Sequence, residues 1–191
     1  MLTPHLRLSL VRLPVVCLAL LWIASFASAA SAETITATAQ LKTSGGVNAT
    51  APVTISIDRL STDADRDALL AAIKKGGTEA ARGHLLTQKA IGNVMIGKQS
   101  STIKYAYSRP TSGGRLMTIV TGSPIAYVGA SLPGAAAKNG FYLGLILVEI
   151  AGGASHGEIA GATKIKVDPQ GAVVTDDYSS ELVRLIDIVS K

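Results

Sequence analysis

The chain has 191 residues, of which 18 are basic and 13 are acidic, and it contains one cysteine. Apart from the adjacent pair Lys74 and Lys75, basic residues are scattered singly, which argues against a nucleic-acid partner because nucleic-acid binders concentrate lysine and arginine on one face. The cysteine, Cys17, lies in an N-terminal apolar stretch. The rest of the chain therefore offers no thiolate for catalysis, for cysteine-ligated zinc or for an iron–sulfur cluster.

The first 32 residues have the pattern of a secretory signal peptide. Arg7 and Arg12 precede an apolar stretch at 13–26, and small residues follow, with an A-x-A cleavage site at 30–32. The apolar stretch is shorter than the about 20 residues that a transmembrane helix needs. We therefore expect an exported protein, periplasmic or extracellular, without a transmembrane segment once the leader is removed. Loss of the two leader arginines leaves 16 basic and 13 acidic residues, a net charge of +3 for 33–191.

Alternating apolar and polar residues predict β-strands through most of the mature chain. In 34–42 the apolar side chains alternate with threonine and glutamine, and in 53–58 they alternate with threonine, serine and aspartate. A period of two is expected for a strand with one buried side and one side facing water. Turn-forming residues at 44–48 separate the two segments, which are therefore predicted to pair.

A helical insert is predicted at about 62–87. Ser61 or Thr62 suits the N-cap, and aspartates in the first turn favour the positive end of the helix dipole. Leucine and isoleucine then recur at helical spacing until the glycine pair at 76–77, after which a second, shorter helical segment follows. The insert is therefore predicted to be a helical hairpin that covers an open face or end of the sheet.

The residues after the insert again alternate with a period of two. The clearest hairpin joins 102–108, in which Ile103, Tyr105 and Tyr107 share one face, to 115–121. Further strands are predicted at 93–96, 125–128, 141–150, 158–167 and 172–175.

The last segment, 181–189, fits either a helix or a strand. Leucine, isoleucine and valine recur in it at helical spacing, but β-branched residues favour a strand. We expect a strand, because a further strand would close the sheet and remove an exposed edge. The predicted fold class is α+β: mainly antiparallel β, with about nine strands in a sandwich or partly closed barrel and one inserted helical hairpin. A single β-rich domain of 33–191 thus follows the signal peptide at 1–32.

Two parts of the chain resemble a known group of proteins. The first runs from 115 to 129, and the second joins 140–143 to 157–160, 164–167 and 177–178. These residues resemble a group of small exported bacterial proteins of unassigned function. The likeness covers most of the mature chain. Its motifs are strands, turns and glycines, so the resemblance implies no catalytic or binding residue.

His156 and Glu158 are the candidate metal ligands. They lie two positions apart on a predicted strand, which places both side chains on one face, and both residue types bind zinc. Zinc sites take three or four protein ligands, so a third ligand such as Asp176 or His84 would have to come from elsewhere in the fold. An exposed turn residue is the simpler explanation of His156, and no cofactor is predicted.

Tyr105 and Tyr107 are the candidate binding residues, together with Arg109 and Arg115 at the adjoining turn. Tyrosine and arginine are over-represented among the anchoring residues of protein interfaces. The alternative is that both tyrosines pack in the core with their hydroxyl groups hydrogen-bonded.

Motifs of common enzyme classes are missing from the sequence. It contains no G-x-S-x-G nucleophile motif, no phosphate-binding loop between a strand and a helix, and no EF-hand calcium loop. We therefore expect a non-enzymatic exported domain that binds a protein partner, an envelope component or an apolar small molecule inside the sheet. A metal-assisted envelope hydrolase centred on His156 and Glu158 is the alternative. Assembly through an exposed strand edge is a third hypothesis.

Overall fold

Nine β-strands and one α-helix make up the part of the chain that the structure, a computed structural model, describes: residues 32–42, 48–125, 140–178 and 182–191. All strand pairs are antiparallel, which confirms the α+β class with mainly antiparallel β-structure. The helix is α1 (Asp63–Thr87), between the second and third strands. The strands are β1 (Glu33–Lys42), β2 (Asn48–Ile57), β3 (Gly92–Ile96), β4 (Gln99–Pro110), β5 (Gly114–Thr121), β6 (Leu143–Ala151), β7 (His156–Val167), β8 (Val173–Tyr178) and β9 (Val183–Ser190).

Eight of these strands close into a barrel. The order around it is β1, β2, β3, β4, β5, β6, β7, β9 and back to β1. The remaining strand, β8, lies outside the closure, because β7 pairs with β9 at 157–159 and with β8 at 163–167. The strand predicted at 181–189 is confirmed as β9. It completes the barrel by pairing with β1 on one side and with β7 on the other.

Aliphatic side chains at the inward-facing positions fill the barrel. Ile35 of β1, Ile55 of β2, Ile119 of β5 and Ile146 of β6 are fully buried in one common cluster. An eight-stranded barrel has an interior just wide enough for side chains to fill. Burial of each such side chain contributes about 1.5–3 kcal/mol. The interior is therefore the main hydrophobic core of the protein.

The N-terminus of α1 is fixed by a capping box. Thr62 is the N-cap, and its hydroxyl accepts a hydrogen bond from the Asp65 N–H at 3.1 Å. The Asp65 carboxylate in turn accepts one from the Thr62 N–H at 2.8 Å, which is the reciprocal pattern of a capping box. Gly76 and Gly77 have non-helical backbone angles at the place where the sequence predicts a hairpin turn. These angles bend the chain without ending the helix, so the insert is one helix, α1, with a kink at this glycine pair.

α1 packs on the outer surface of the barrel and forms a second core there. Leu69, Ile73 and Leu85 of the helix are buried in a cluster with outward-facing residues of β4 to β7. Beyond the end of the β6–β7 pairing, the Thr78 hydroxyl accepts a hydrogen bond from the Ile165 N–H of β7 at 2.8 Å. The helix thus covers one face of the sheet, as the sequence predicts, and satisfies a strand backbone group that lacks a β6 partner.

Three sequence predictions fall almost wholly on residues that the structure does not describe. They are the signal peptide, the turn at 44–48 and the strand at 125–128, of which the structure describes only Ala32, Asn48 and Ile125. Ala32 and Ile125 do not belong to a strand, and Asn48 is the first residue of β2. Within the described part of the chain, no helix has both the length and the apolar character needed to cross a bilayer.

Candidate functional site

A bulge in β4 determines which way the two candidate tyrosines face. The pairing with β5 shifts register between Ile103 and Tyr105. Ile103 therefore packs in the barrel interior, whereas Tyr105 and Tyr107 pack in the outer cluster beneath α1. The prediction that all three residues share one face is wrong, because one inserted residue reverses the direction of every later side chain.

Ser61 holds the start of α1 against this bulge. Its N–H donates to the Ala106 carbonyl at 2.7 Å, and its hydroxyl accepts a hydrogen bond from the Ala106 N–H at 3.1 Å. Ser61 is itself buried, so it satisfies backbone groups of β4 that lie beyond the end of the β3–β4 pairing at Ile103. The first turn of the helix is thereby fixed beside the tyrosines.

Tyr107 joins that first turn through a polar network. The Tyr107 hydroxyl donates to Asp63 Oδ1 at 2.7 Å and accepts a hydrogen bond from Arg66 Nη1 at 2.7 Å. Arg66 also donates to Asp67 Oδ1 from its Nε at 3.0 Å and from its Nη2 at 2.8 Å. The ring of Tyr105 stacks on that of Tyr107, with 6.3 Å between the ring centroids. The positive charge of Arg66 is therefore compensated by two carboxylates within the helix.

A cavity of about 100 Å³ lies between α1, β4 and the turn that joins β7 to β8. The turn is fixed by Asp168, whose carboxylate accepts the Ala172 N–H at 2.7 Å and whose carbonyl accepts the Gly171 N–H at 3.0 Å. We name this space the Arg109 cavity after an arginine in its wall. The residues that line it are Arg66, Leu70, Tyr105, Tyr107, Arg109, Thr118, Gln170, Gly171, Ala172 and Val173.

Arg109 is the chemically exceptional residue of the cavity. Its Nε is buried and has no hydrogen-bond partner within the described residues. None of the ion pairs formed among those residues includes Arg109. A buried donor without an acceptor costs about 1–3 kcal/mol, and more when the group is charged. Of the two arginines that line the cavity, Arg109 is therefore the one whose positive charge has no carboxylate partner among the described residues.

The hydroxyl groups of both tyrosines are held in the protonated form. Burial raises the pKa of Tyr105, and the hydrogen bond that Tyr107 donates to Asp63 raises the pKa of Tyr107. The ordinary pKa of tyrosine is already about 10, and arginine stays charged in proteins. The residues lining the cavity therefore include no titratable base for general base catalysis near neutral pH.

Arg115, the fourth candidate binding residue, has its own partners at another place. Its guanidinium group forms a two-pronged ion pair with the Glu33 carboxylate, with 2.9 Å between Nη1 and Oε2 and a shorter contact between Nη2 and Oε1. Ser190 donates to the same carboxylate at 2.6 Å. Glu33 lies on β1 and Arg115 on β5, four strands apart in either direction around the barrel. The pair therefore links opposite walls of the barrel.

The candidate metal ligands are found apart from this cavity. His156 lies opposite Glu149 in the β6–β7 pairing, with 3.2 Å between His156 Nε2 and Glu149 Oε2, and its side chain is 72% exposed. Asp176 instead pairs with Lys166. Among the described residues there is no group of three or more histidine, cysteine, aspartate or glutamate side chains that could hold a metal ion. The described residues therefore give no support to the hypothesis of a metal-assisted hydrolase centred on His156 and Glu158.

Comparison with known proteins adds no family assignment. No family model matches the chain, and no significant match is found among curated proteins or among solved structures. Function must therefore be inferred from the residues themselves and from the chemistry of the Arg109 cavity.

Proposed function

We propose that this protein is an exported, non-enzymatic binding domain that recognises a protein partner through the Arg109 cavity. The observation that carries the proposal is the buried Nε of Arg109, a charged donor that lies at the wall of a cavity and has no acceptor among the described residues. Native proteins rarely leave such groups unpaired, and an exception calls for an explanation. A group supplied by a binding partner would provide the acceptor. Export is inferred from the N-terminal sequence.

The size of the cavity favours a side chain over a whole small molecule. Pockets for drug-sized ligands have volumes of about 300–1,000 Å³, whereas this cavity has about 100 Å³. It has room for about three water molecules at about 30 Å³ each, or for the end of one side chain. The barrel interior is filled by its own aliphatic residues. An apolar small molecule bound inside the sheet is therefore less well supported than a protein partner.

The residue types around the cavity favour binding over catalysis. Tyrosine and arginine are the usual anchors of protein interfaces, since they combine a large contact area with polar groups. Tyr105 and Tyr107 are stacked, and hydrogen bonds hold Tyr107 and Arg66 in place. Their order in the unbound protein lowers the conformational entropy that binding would otherwise cost. These residues form a prearranged rim beside Arg109.

Site-specific photo-crosslinking in the native host tests the proposal. A benzophenone amino acid replaces Gln170, an exposed residue that lines the cavity, and the same probe replaces Met95 on the exposed outer face of β3 as the control. We expect a discrete protein adduct at position 170 that is lost in the Arg109→Met variant and is not formed at position 95. An adduct at position 170 that is equally strong in Arg109→Met would show that the cavity is not the binding site.

A further inference from the structure

We infer that the group held in the Arg109 cavity is a carboxylate of the partner protein. This inference rests on the proposed function and assigns the chemical class of the bound group. Its starting point is Arg109, because an arginine has N–H donors only and can be satisfied only by an acceptor. The acceptor that best matches a guanidinium group is a carboxylate, which can take two parallel N–H···O bonds from it.

The charges around the cavity favour an acceptor with a single negative charge. Arg66 and Arg109 supply two positive charges, and Asp63 and Asp67, which pair with Arg66, supply two negative charges. The four charges sum to zero, but the two carboxylates are not divided evenly between the two arginines. Both carboxylates are committed to Arg66, so the positive charge of Arg109 is not compensated by any residue that the structure describes. One carboxylate would neutralise it, whereas a phosphate dianion would add a second negative charge near Asp63 and Asp67.

The tyrosines do not compete for the donor of Arg109. The Tyr107 hydroxyl already donates to Asp63 and accepts from Arg66, so its position is fixed by the helix. The Arg66 Nε is likewise used by Asp67. Arg66 and Arg115 each pair with a carboxylate, whereas Arg109 has no carboxylate partner among the described residues. A carboxylate entering the cavity would therefore bind at Arg109 without displacing an existing ion pair.

Arginine side-chain NMR on the intact mature protein tests this assignment. The Nε–Hε signal of Arg109 is assigned by its disappearance in the Arg109→Lys variant, and the Arg115 signal serves as the control because Glu33 already occupies that guanidinium group. Four probes are titrated. They are acetyl-Ala-Glu-Ala-amide, its neutral Gln analogue, acetyl-Ala-Ala-Ala with a free C-terminus, and inorganic phosphate.

We expect a saturable shift of the Arg109 signal with a carboxylate peptide and no shift of the Arg115 signal. The Gln analogue and phosphate should bind about tenfold more weakly or worse, given the strength of hydrogen bonds between charged groups. Stronger binding of the Glu peptide identifies a side chain as the source, and stronger binding of the free C-terminus identifies a chain end. Equal binding of the Gln analogue or of phosphate would overturn the inference. So would the absence of any shift while the crosslink at position 170 still depends on Arg109, although the proposed function would then stand.

Discussion

Two arginines on adjacent strands show how differently one residue type is used in this fold. Arg115 is satisfied by Glu33 and Ser190, whereas Arg109 has a buried Nε with no partner among the described residues. The Glu33 side chain is only 10% exposed and that of Arg115 is 33% exposed. Loss of either partner would therefore leave a poorly hydrated charge, so the ion pair makes Arg115 a stabilising residue. Arg109 has no such partner among the described residues and is available for binding.

Arg115→Met should lower the free energy of unfolding by about 3 kcal/mol, the lower end of the range for removing one partner of a buried ion pair. Lys166→Met is the matched control, because its pair with Asp176 is exposed on both sides and should contribute about 1 kcal/mol or less. Urea denaturation monitored by circular dichroism measures both. Equal losses in the two variants would contradict a specific stabilising role for the pair across the barrel.

The stability of the protein should fall at high pH because of Tyr105. Burial raises the pKa of this side chain in the folded state above its unfolded value of about 10. Its contribution to stability is therefore complete below about pH 10 and is lost as the pH rises through the folded pKa. Urea midpoints measured from about pH 7 to about pH 11 should decline above pH 10, and less steeply in Tyr105→Phe. Identical declines in the two proteins would exclude Tyr105 as a cause.

At the scale of the elements, the sequence predicts those strands and helix ends that are determined by residues close together in the chain. Period-two alternation predicts most of the strands, and the Thr62 cap and first-turn aspartates predict the helix start. The β4 bulge has no such local signal, so the faces of Ile103 and Tyr105 could not be related from the sequence. The shared environment of Tyr107 and Arg66 was also missed, because the two residues are far apart in sequence. Only the packing of α1 on the barrel brings them together.

β9 permits a direct test of the irregular strand that the structure assigns to Val183–Ser190. Leu185 and Val189 are four positions apart, which would place them on one face of a helix and also on one face of a regular strand. In β9 the register with β1 shifts between Ile186 and Val189, so that Leu185 is 1% exposed and Val189 is 49% exposed. We expect Leu185→Ala to lower the free energy of unfolding by about 2–5 kcal/mol and Val189→Ala to change it by about 0.5 kcal/mol or less. Thermal denaturation of both variants provides the comparison. Similar large losses would contradict the register shift in β9, because they would place both side chains in the core.

At the scale of the whole molecule, the candidate site depends on closure of the barrel. The cavity is built from α1, β4, β5 and the β7–β8 turn, which are distant in sequence. β8 lies outside the closed barrel and pairs only with the second half of β7, so the turn before it can reach the residues beside α1. The first half of β7 is fixed by β9. The site therefore requires both the barrel and the added strand.

A chain of 33–182, which lacks β9, should fail to form the native barrel. Its β1 and β7 would each expose an unpaired edge, and exposed edges promote aggregation. We expect no cooperative thermal transition for this truncated chain, and one cooperative transition for 33–191 prepared in parallel. Differential scanning calorimetry makes the comparison. A native-like transition in the shorter chain would mean that β9 is dispensable for closure.

The pairing of β1 with β9 also determines when folding can finish. β9 follows all the other described strands in the sequence, yet Thr34 exchanges backbone hydrogen bonds with Lys191. Contacts between residues so distant along the chain make folding slow, because the chain must lose much entropy before they form. On the proposed export, the barrel of a chain still being synthesised would lack β9 and could not close. Late closure would keep the chain unfolded until its end was made, and an unfolded chain is the form that can pass through a translocation channel.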